Sequence, residues 1–118
     1  MNDMEIKQYI DTEKALARIR GNAKLFKLLL TQFLGTRTQF EQLQNEVKAN
    51  EREAASKTVH ALKGVAANLS MPALYELCVS FESVLKTDAD SSAPLASFSA
   101  AYEKTVECVT AILPTISV

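Results

Sequence analysis

Apolar residues recur at helical spacing along nearly the whole chain, and no segment alternates convincingly with a period of two. Between residues 23 and 49, for example, Phe26, Leu29, Leu30 and Phe33 begin a series at intervals of three, four and seven, the pattern of one face of an α-helix. Only three glycines and three prolines occur in the chain, so few turns interrupt the pattern. The sequence therefore predicts an all-α protein.

The predicted helices form a bundle. A short helix should run to residue 20 with Asp11 or Thr12 as its cap, and longer ones should cover residues 23–49, 51–69, 71–85 and 95–113. Gly35 interrupts the predicted helix at 23–49 at a cost of about 1 kcal/mol. Ser70 is expected to cap the helix at 71–85. Residues 1–9 are expected to fray or pack loosely. Four amphipathic helices with short connections predict an antiparallel up-down-up-down four-helix bundle with a short extra N-terminal helix. Residues 1–118 should form a single domain.

Composition excludes several functional classes. The net charge is −1 and no basic stripe is interleaved with aromatic residues, which argues against nucleic-acid binding. No apolar run is long enough to span a membrane, and the first ten residues contain no secretory apolar core. One histidine and two cysteines thirty positions apart, Cys78 and Cys108, do not match a zinc site. They favour buried thiols in a reducing, cytoplasmic location over a disulfide.

The only histidine, His60, lies in the predicted helix at 51–69. With Leu62 at the centre of the buried face, His60 points about 160° away from it at 100° per residue. Gly64 lies about 40° from His60, one turn further along. Lys63 and Lys57 stand on either side of this outward face. The helix therefore presents one imidazole to solvent, beside a missing side chain and two ammonium groups.

This arrangement suits a phosphate carrier. An imidazole is a nucleophile that can be neutral near pH 7, and the ammonium groups of Lys63 and Lys57 would neutralise the oxygens of an attached phosphoryl group. Each of these residues alone has an ordinary structural explanation as a solvated side chain. Gly64 carries most weight, because a glycine inside a helix costs stability without a gain in packing. Their joint placement on one face favours a functional interpretation.

The sequence around His60 resembles the histidine-containing phosphotransfer (HPt) domains of multistep two-component phosphorelays. Their signature has a histidine, an aliphatic residue two positions on, a lysine three on and a glycine four on, then a small-residue stretch that ends in Leu or Ile followed by Gly. The matching residues here are His60, Leu62, Lys63, Gly64, Asn68 and Leu69. Ser70 stands where the family usually has glycine. The similarity covers most of the chain, including a short opening helix and a long second one.

The resemblance implies a function for each part of the site. His60 would accept a phosphoryl group from a receiver-domain aspartate and pass it to a receiver aspartate of another protein. A glutamate from the following helix, Glu82, would orient the imidazole, and Gly64 would give the partner access. The docking face would centre on His60 with Ala61 and Ala67 beside it.

The resemblance also bears on cofactors and partners. No glycine-rich nucleotide loop or kinase motif occurs in the sequence, so we expect a phosphocarrier without kinase activity of its own. No metal site or cofactor is expected on this chain, and Mg²⁺ should belong to the receiver. The expected partners are receiver domains of a response regulator, of a hybrid sensor kinase, or of both, and the chain should be a monomer.

Two other functions are compatible with the sequence. The bundle could be an adaptor that binds a receiver domain without carrying phosphate. It could also be the dimerising phosphoacceptor region of a sensor kinase, which would require an ATP-binding domain after it. Met1 mildly favours a free-standing protein over a domain of a hybrid kinase.

Overall fold

The computed structural model describes residues 2–117, and within that range the chain is helical without a β-strand. The helices are α1 (Asp3–Tyr9), α2 (Thr12–Arg18), α3 (Ala23–Leu34), α4 (Arg37–Lys48), α5 (Arg52–Asn68), α6 (Pro72–Leu85) and α7 (Ser92–Ile112). A 3₁₀ turn, Leu113–Thr115, follows α7. Met1 and Val118, the predicted ends of the domain, lie outside the described residues.

Helices α3 to α7 form the predicted antiparallel bundle around one hydrophobic core. The ring centroids of Phe33 and Tyr102 are 5.7 Å apart, and those of Phe40 and Phe98 are 6.1 Å apart. Residue numbers thus rise from Phe33 to Phe40, while those of their partners on α7 fall from Tyr102 to Phe98. Helix α7 therefore runs antiparallel to α3 and α4. Phe81 of α6 also packs against Phe98, with their ring centroids 5.7 Å apart. Burial of these apolar stripes stabilises the bundle, and the all-α prediction is confirmed.

The predicted helix at residues 23–49 is interrupted at Gly35 and Thr36, between α3 and α4. The Thr36 hydroxyl donates to the Phe33 carbonyl at 2.6 Å and lies 2.8 Å from the Tyr102 hydroxyl. Thr36 is buried, so these hydrogen bonds satisfy a polar group that would otherwise destabilise the core. The interruption is thus anchored to α7.

Short polar residues and a glycine set several of the helix boundaries, and the cap predicted at Asp11 is confirmed. The Asp11 side chain accepts a hydrogen bond from the Lys14 backbone N–H at 3.2 Å and caps α2. Gly21 adopts a left-handed backbone with φ +73°, and Asn22 then caps α3. Asn50, with φ +55°, provides the break between α4 and α5. These local signals set the lengths of the helices.

The N-terminal segment differs from the prediction. Residues 3–9 form α1, capped by Asn2, where fraying or loose packing was expected. Ile6 and Tyr9 pack against the core, and Ile10 is buried. These apolar residues lie three and four positions apart, so one face of a single helical turn can dock on the bundle. The bundle consequently has two short N-terminal helices instead of one.

The expected cap at Ser70 is wrong. Ser70 has φ +54°, whereas a capping residue has an extended backbone, and α6 begins at Pro72 after Met71 without a side-chain cap. The Ser70 carbonyl instead accepts a hydrogen bond from the Asp11 N–H at 2.8 Å. Its hydroxyl is buried and has no hydrogen-bond partner among the described residues. Glycine adopts a left-handed backbone at little cost. This explains why the family that the sequence resembles usually has glycine at this position.

None of the helices described here is both long and apolar enough to cross a lipid bilayer. Cys78 and Cys108 are both buried, and burial raises the pKa of the Cys78 thiol to about 12. The Cys78 thiol is therefore protonated at neutral pH and packs as a small apolar side chain.

Candidate functional site

His60 projects from α5 into solvent, with 69% of its side chain exposed. Two positions further on, Leu62 retains only 1% of its accessible surface. The buried residues of the helix are Ala55, Thr58, Val59, Leu62 and Ala66. Because this stripe holds α5 against the core, the helix cannot turn His60 inward. The structure thus places the imidazole as the helical geometry predicts.

Glu82 of α6 lies beside the imidazole. Its Oε2 is 3.3 Å from His60 Nδ1, and its Oε1 is 2.9 Å from the Lys63 Nζ. Only 13% of the Glu82 side chain is exposed, so the carboxylate is set into the groove between α5 and α6. The residue to which the family resemblance assigned the orienting role is therefore in contact with the imidazole.

The Glu82 carboxylate is ionised at neutral pH. The hydrogen bond from Lys63 lowers the pKa of Glu82, and the contact with His60 adds to this effect against the opposing cost of burial. In return, the hydrogen bond to Glu82 raises the pKa of Lys63. An ionised carboxylate can only accept hydrogen bonds, so Nδ1 must carry the proton of this contact. In the neutral imidazole the lone pair then lies on Nε2.

Lys86 is a further cation at this carboxylate, and sequence reasoning missed it. Its Nζ lies 4.0 Å from Glu82 Oε2, one helical turn along α6. The i, i+4 spacing of Glu82 and Lys86 was the available signal. The spacing predicts only that Glu82 and Lys86 can pair, and it links Lys86 to His60 only once the contact between Glu82 and His60 is known.

Lys57 is placed differently. Its Nζ pairs with Glu53 at 3.8 Å along α5, and 79% of its side chain is exposed. The structure thus joins Lys63, and not Lys57, to the carboxylate that contacts His60. The role predicted for Lys57 in stabilising a phosphoryl group stays a prediction.

Small residues surround His60 on α5. Ala61 and Gly64 are exposed, and Ala67 is half-buried. A Cβ atom built on Gly64 would meet no described atom within 4 Å apart from its chain neighbours and the adjoining backbone of α5. Packing inside the bundle therefore does not require a glycine at this position.

Two apolar side chains of α6, Tyr75 and Val79, stand exposed on the surface, with 37% and 40% of their area accessible. With Glu82 they follow the i, i+4, i+7 series that marks one face of a helix. Sequence reasoning missed both, because the buried stripe of α6 explained its other apolar residues. Tyr75 and Ala67 line the same groove, which connects this face with α5. Among the described residues there is no cluster of three side chains that could hold a metal ion.

Comparison with known proteins identifies the family. The family model of the Hpt domain matches residues 28–112, from within α3 to the end of α7. The chain belongs to the Hpt domain family. His60, Gly64 and Glu82 all lie within the matched residues of this Hpt domain.

A solved structure shows the same fold. The crystal structure of the HPT domain from an Hpt sensor hybrid histidine kinase of Shewanella superposes with a TM-score of 0.83. The alignment covers 96% of this chain and 99% of that one, at 19% sequence identity. The comparison with curated proteins gives no match.

Membership of the family establishes the general role. Hpt domains are phosphotransfer modules of phosphorelay signalling, not kinases, and the family interacts with receiver domains.

Proposed function

We propose that His60 accepts a phosphoryl group from the aspartyl phosphate of one receiver domain and passes it to the aspartate of another. The observation that carries this proposal is the contact between Glu82 and His60 Nδ1 at 3.3 Å. It leaves Nε2 of an exposed ring with the lone pair that a nucleophile needs.

The transfer step follows from this tautomer. The Nε2 lone pair attacks phosphorus, an Nε2–P bond forms, and the bond from phosphorus to the aspartyl oxygen breaks. The electron pair leaves with the aspartate carboxylate, and the Nδ1 proton stays in place. Positive charge that develops on the ring is stabilised by the Glu82 carboxylate beside Nδ1. The reverse sequence delivers the phosphoryl group to the next receiver.

Cations next to the ring support the same step. Phosphoryl transfer is catalysed mainly by positioning and by neutralising the charge on the phosphoryl oxygens. We assign this role to Lys63, whose ammonium lies at the Glu82 carboxylate, and to Lys57, which precedes His60 by three positions on α5. We propose no cofactor on this chain, and Mg²⁺ would be bound by the receiver domain.

The proposed docking face combines the small residues of α5 with the exposed apolar residues of α6. Ala61, Gly64 and Ala67 would let the receiver domain approach the imidazole closely. Tyr75 and Val79 would bury apolar surface against it, which favours association. An Ala67→Glu variant should then slow transfer, because it places a bulky charge in this contact.

The experiment that tests the proposal is phosphoryl transfer from receiver domains of the same organism, each phosphorylated with radiolabelled acetyl phosphate. The wild-type chain should acquire an acid-labile, base-stable label, and His60→Gln should acquire none. Equal label on the wild-type chain and on His60→Gln would contradict His60 as the acceptor. Receiver binding without any label would instead support the adaptor function.

A further inference from the structure

The charge cluster at Glu82 contains one lysine to which neither the sequence nor the family signature assigns a role. We propose that Lys86 is a further catalytic residue, whose ammonium contacts the phosphoryl group carried by His60. The inference rests on the proposed function of His60 and adds a second helix to the phosphoryl-binding site.

Two nitrogen atoms approach the same carboxylate oxygen. Glu82 Oε2 lies 3.3 Å from His60 Nδ1 and 4.0 Å from the Lys86 Nζ. The distance from the Lys86 Nζ to His60 Nδ1 therefore cannot exceed the sum of these two distances. Lys63 approaches the other oxygen, Oε1, at 2.9 Å. The two lysines therefore flank the carboxylate that orients the imidazole.

Lys86 is the more exposed and the more loosely paired of the two cations. The Lys63 side chain is 25% exposed and makes the short contact, whereas the Lys86 side chain is 68% exposed and makes the long one. A phosphoryl group carries a charge of about −1.5 to −2 near neutral pH, more than the single charge of Glu82. The flexible four-carbon stem of a lysine allows its ammonium to move towards the larger charge. Lys63 meanwhile keeps its ion pair with Glu82 while it contributes positive charge to the site.

The backbone that presents Lys86 is fixed relative to His60. Arg52, at the start of α5, donates hydrogen bonds to the carbonyls of Val84 at 2.8 Å, Ala89 at 2.9 Å and Leu85 at 3.3 Å. These carbonyls lie on both sides of Lys86, at the end of α6 and in the following loop. Because Arg52 and His60 belong to the same helix, this clamp sets the position of Lys86 against the imidazole.

In the transfer step, Lys86 donates hydrogen bonds to the phosphoryl oxygens and remains an ammonium throughout. The bonds formed and broken are those of the step proposed above, and no further proton moves. An ammonium that reaches the phosphoryl oxygens favours their dianionic form. Its loss should be measurable in the phosphorylated protein itself.

The test is ³¹P NMR of the full chain phosphorylated directly with phosphoramidate, compared between Lys86→Gln and Lys104→Gln. Lys104 is a matched control, because it is also an exposed lysine in a short-range ion pair, with Glu107 at 3.8 Å. Lys86→Gln should raise the pH midpoint of the phosphohistidine signal by about 0.5 unit and slow transfer from a phosphorylated receiver about fivefold. Lys104→Gln should change neither quantity, and Lys86→Arg should restore both.

The outcomes separate this inference from the proposed function. Receiver-dependent label on His60, together with equal ³¹P midpoints for Lys86→Gln and Lys104→Gln, would overturn the role of Lys86 alone. A wild-type chain without a phosphohistidine signal at His60 would overturn both proposals. A shift in Lys86→Gln accompanied by unchanged thermal stability would separate phosphoryl contact from the loss of a helical ion pair.

Discussion

Glu82 determines the electrostatics of the site, because its largely buried carboxylate lies beside three nitrogen-bearing side chains. It forms an ion pair with the Lys63 ammonium, contacts His60 Nδ1 and lies within 4.0 Å of the Lys86 ammonium. Such a group links the chemistry of the imidazole to the packing of α5 against α6. Its ionisation should therefore affect both folding and transfer.

The pH dependence of stability should report the ionisation of Glu82. Its pKa is lower in the folded chain than its ordinary value, mainly because of the hydrogen bond from Lys63. The unfolded chain thus binds the proton more readily, and the stabilisation is present above the ordinary carboxylate pKa and is lost as pH falls through the folded one. Chemical denaturation between neutral and acid pH should show a steeper loss of unfolding free energy in wild type than in Glu82→Gln. This difference should shrink in a Lys63→Met background, and its persistence there would contradict the assigned cause.

Gly64 should separate stability from function. A methyl group at this position meets no described atom within 4 Å apart from its chain neighbours and the adjoining backbone of α5, so Gly64→Ala should raise the free energy of unfolding by about 0.5–1 kcal/mol. Gly64→Leu should fold as well but slow transfer from a receiver at least tenfold, because it obstructs the approach to His60. Urea denaturation and transfer kinetics on the same samples measure the two effects. Unchanged transfer in Gly64→Leu would remove the access role from this glycine.

At the scale of elements, the turn between α5 and α6 controls the site, because it sets how the two helices lie against each other. The turn contains Ser70 in a left-handed conformation, and its carbonyl accepts from the Asp11 N–H at 2.8 Å. The turn is thereby tied to the start of α2. A residue in this turn affects the packing of three helices.

Ser70→Gly should stabilise the chain. The left-handed backbone costs a residue with a Cβ atom about 1 kcal/mol, and the buried Ser70 hydroxyl has no partner among the described residues. We expect Ser70→Gly to raise the free energy of unfolding by about 1–2 kcal/mol in chemical denaturation. Ser70→Ala keeps the Cβ atom and removes only the hydroxyl, so it should recover part of the gain. Destabilisation by Ser70→Gly would mean that the hydroxyl contributes more than the backbone costs.

At the scale of the whole molecule, the core and the site are held by different contacts. The interruption between α3 and α4 packs against α7 through Thr36 and Tyr102, whose hydroxyls are 2.8 Å apart. Arg37 adds an ion pair with Glu103 and lies over the Tyr102 ring, 5.1 Å from its centroid. These contacts join α3, α4 and α7, whereas the charge cluster joins α5 and α6. The polar contacts between α3, α4 and α7 are therefore separate from the charge cluster at His60.

Tyr102→Phe should test this separation. Loss of the hydroxyl removes the hydrogen bond to Thr36 and should lower the free energy of unfolding by about 1 kcal/mol. Transfer to His60 at a temperature well below unfolding should be unchanged. A double-mutant cycle with Thr36→Val isolates the contribution of the pair. A large loss of transfer in folded Tyr102→Phe would show that the two groups of contacts are coupled.

Periodicity predicted the bundle because the stripe of each helix is a local property of the sequence. The same local geometry predicted that His60 points outward, since α5 is held by Leu62 and its neighbours. The contact of Glu82 with His60 was anticipated by family resemblance and not by spacing. The N-terminal helix was missed because Ile6 and Ile10 become informative only against the faces on which they pack.

The sequence by itself determined the helices, their buried stripes and the exposed imidazole, because each depends on residues a few positions apart along one helix. Only the tertiary structure decided which side chains of α6 meet His60, since this depends on the register between two helices. That register brings Glu82 to Nδ1 and Lys86 to the same carboxylate. It also required the left-handed turn at Ser70, whose conformation follows from joining two packed helices and not from the preference of a serine.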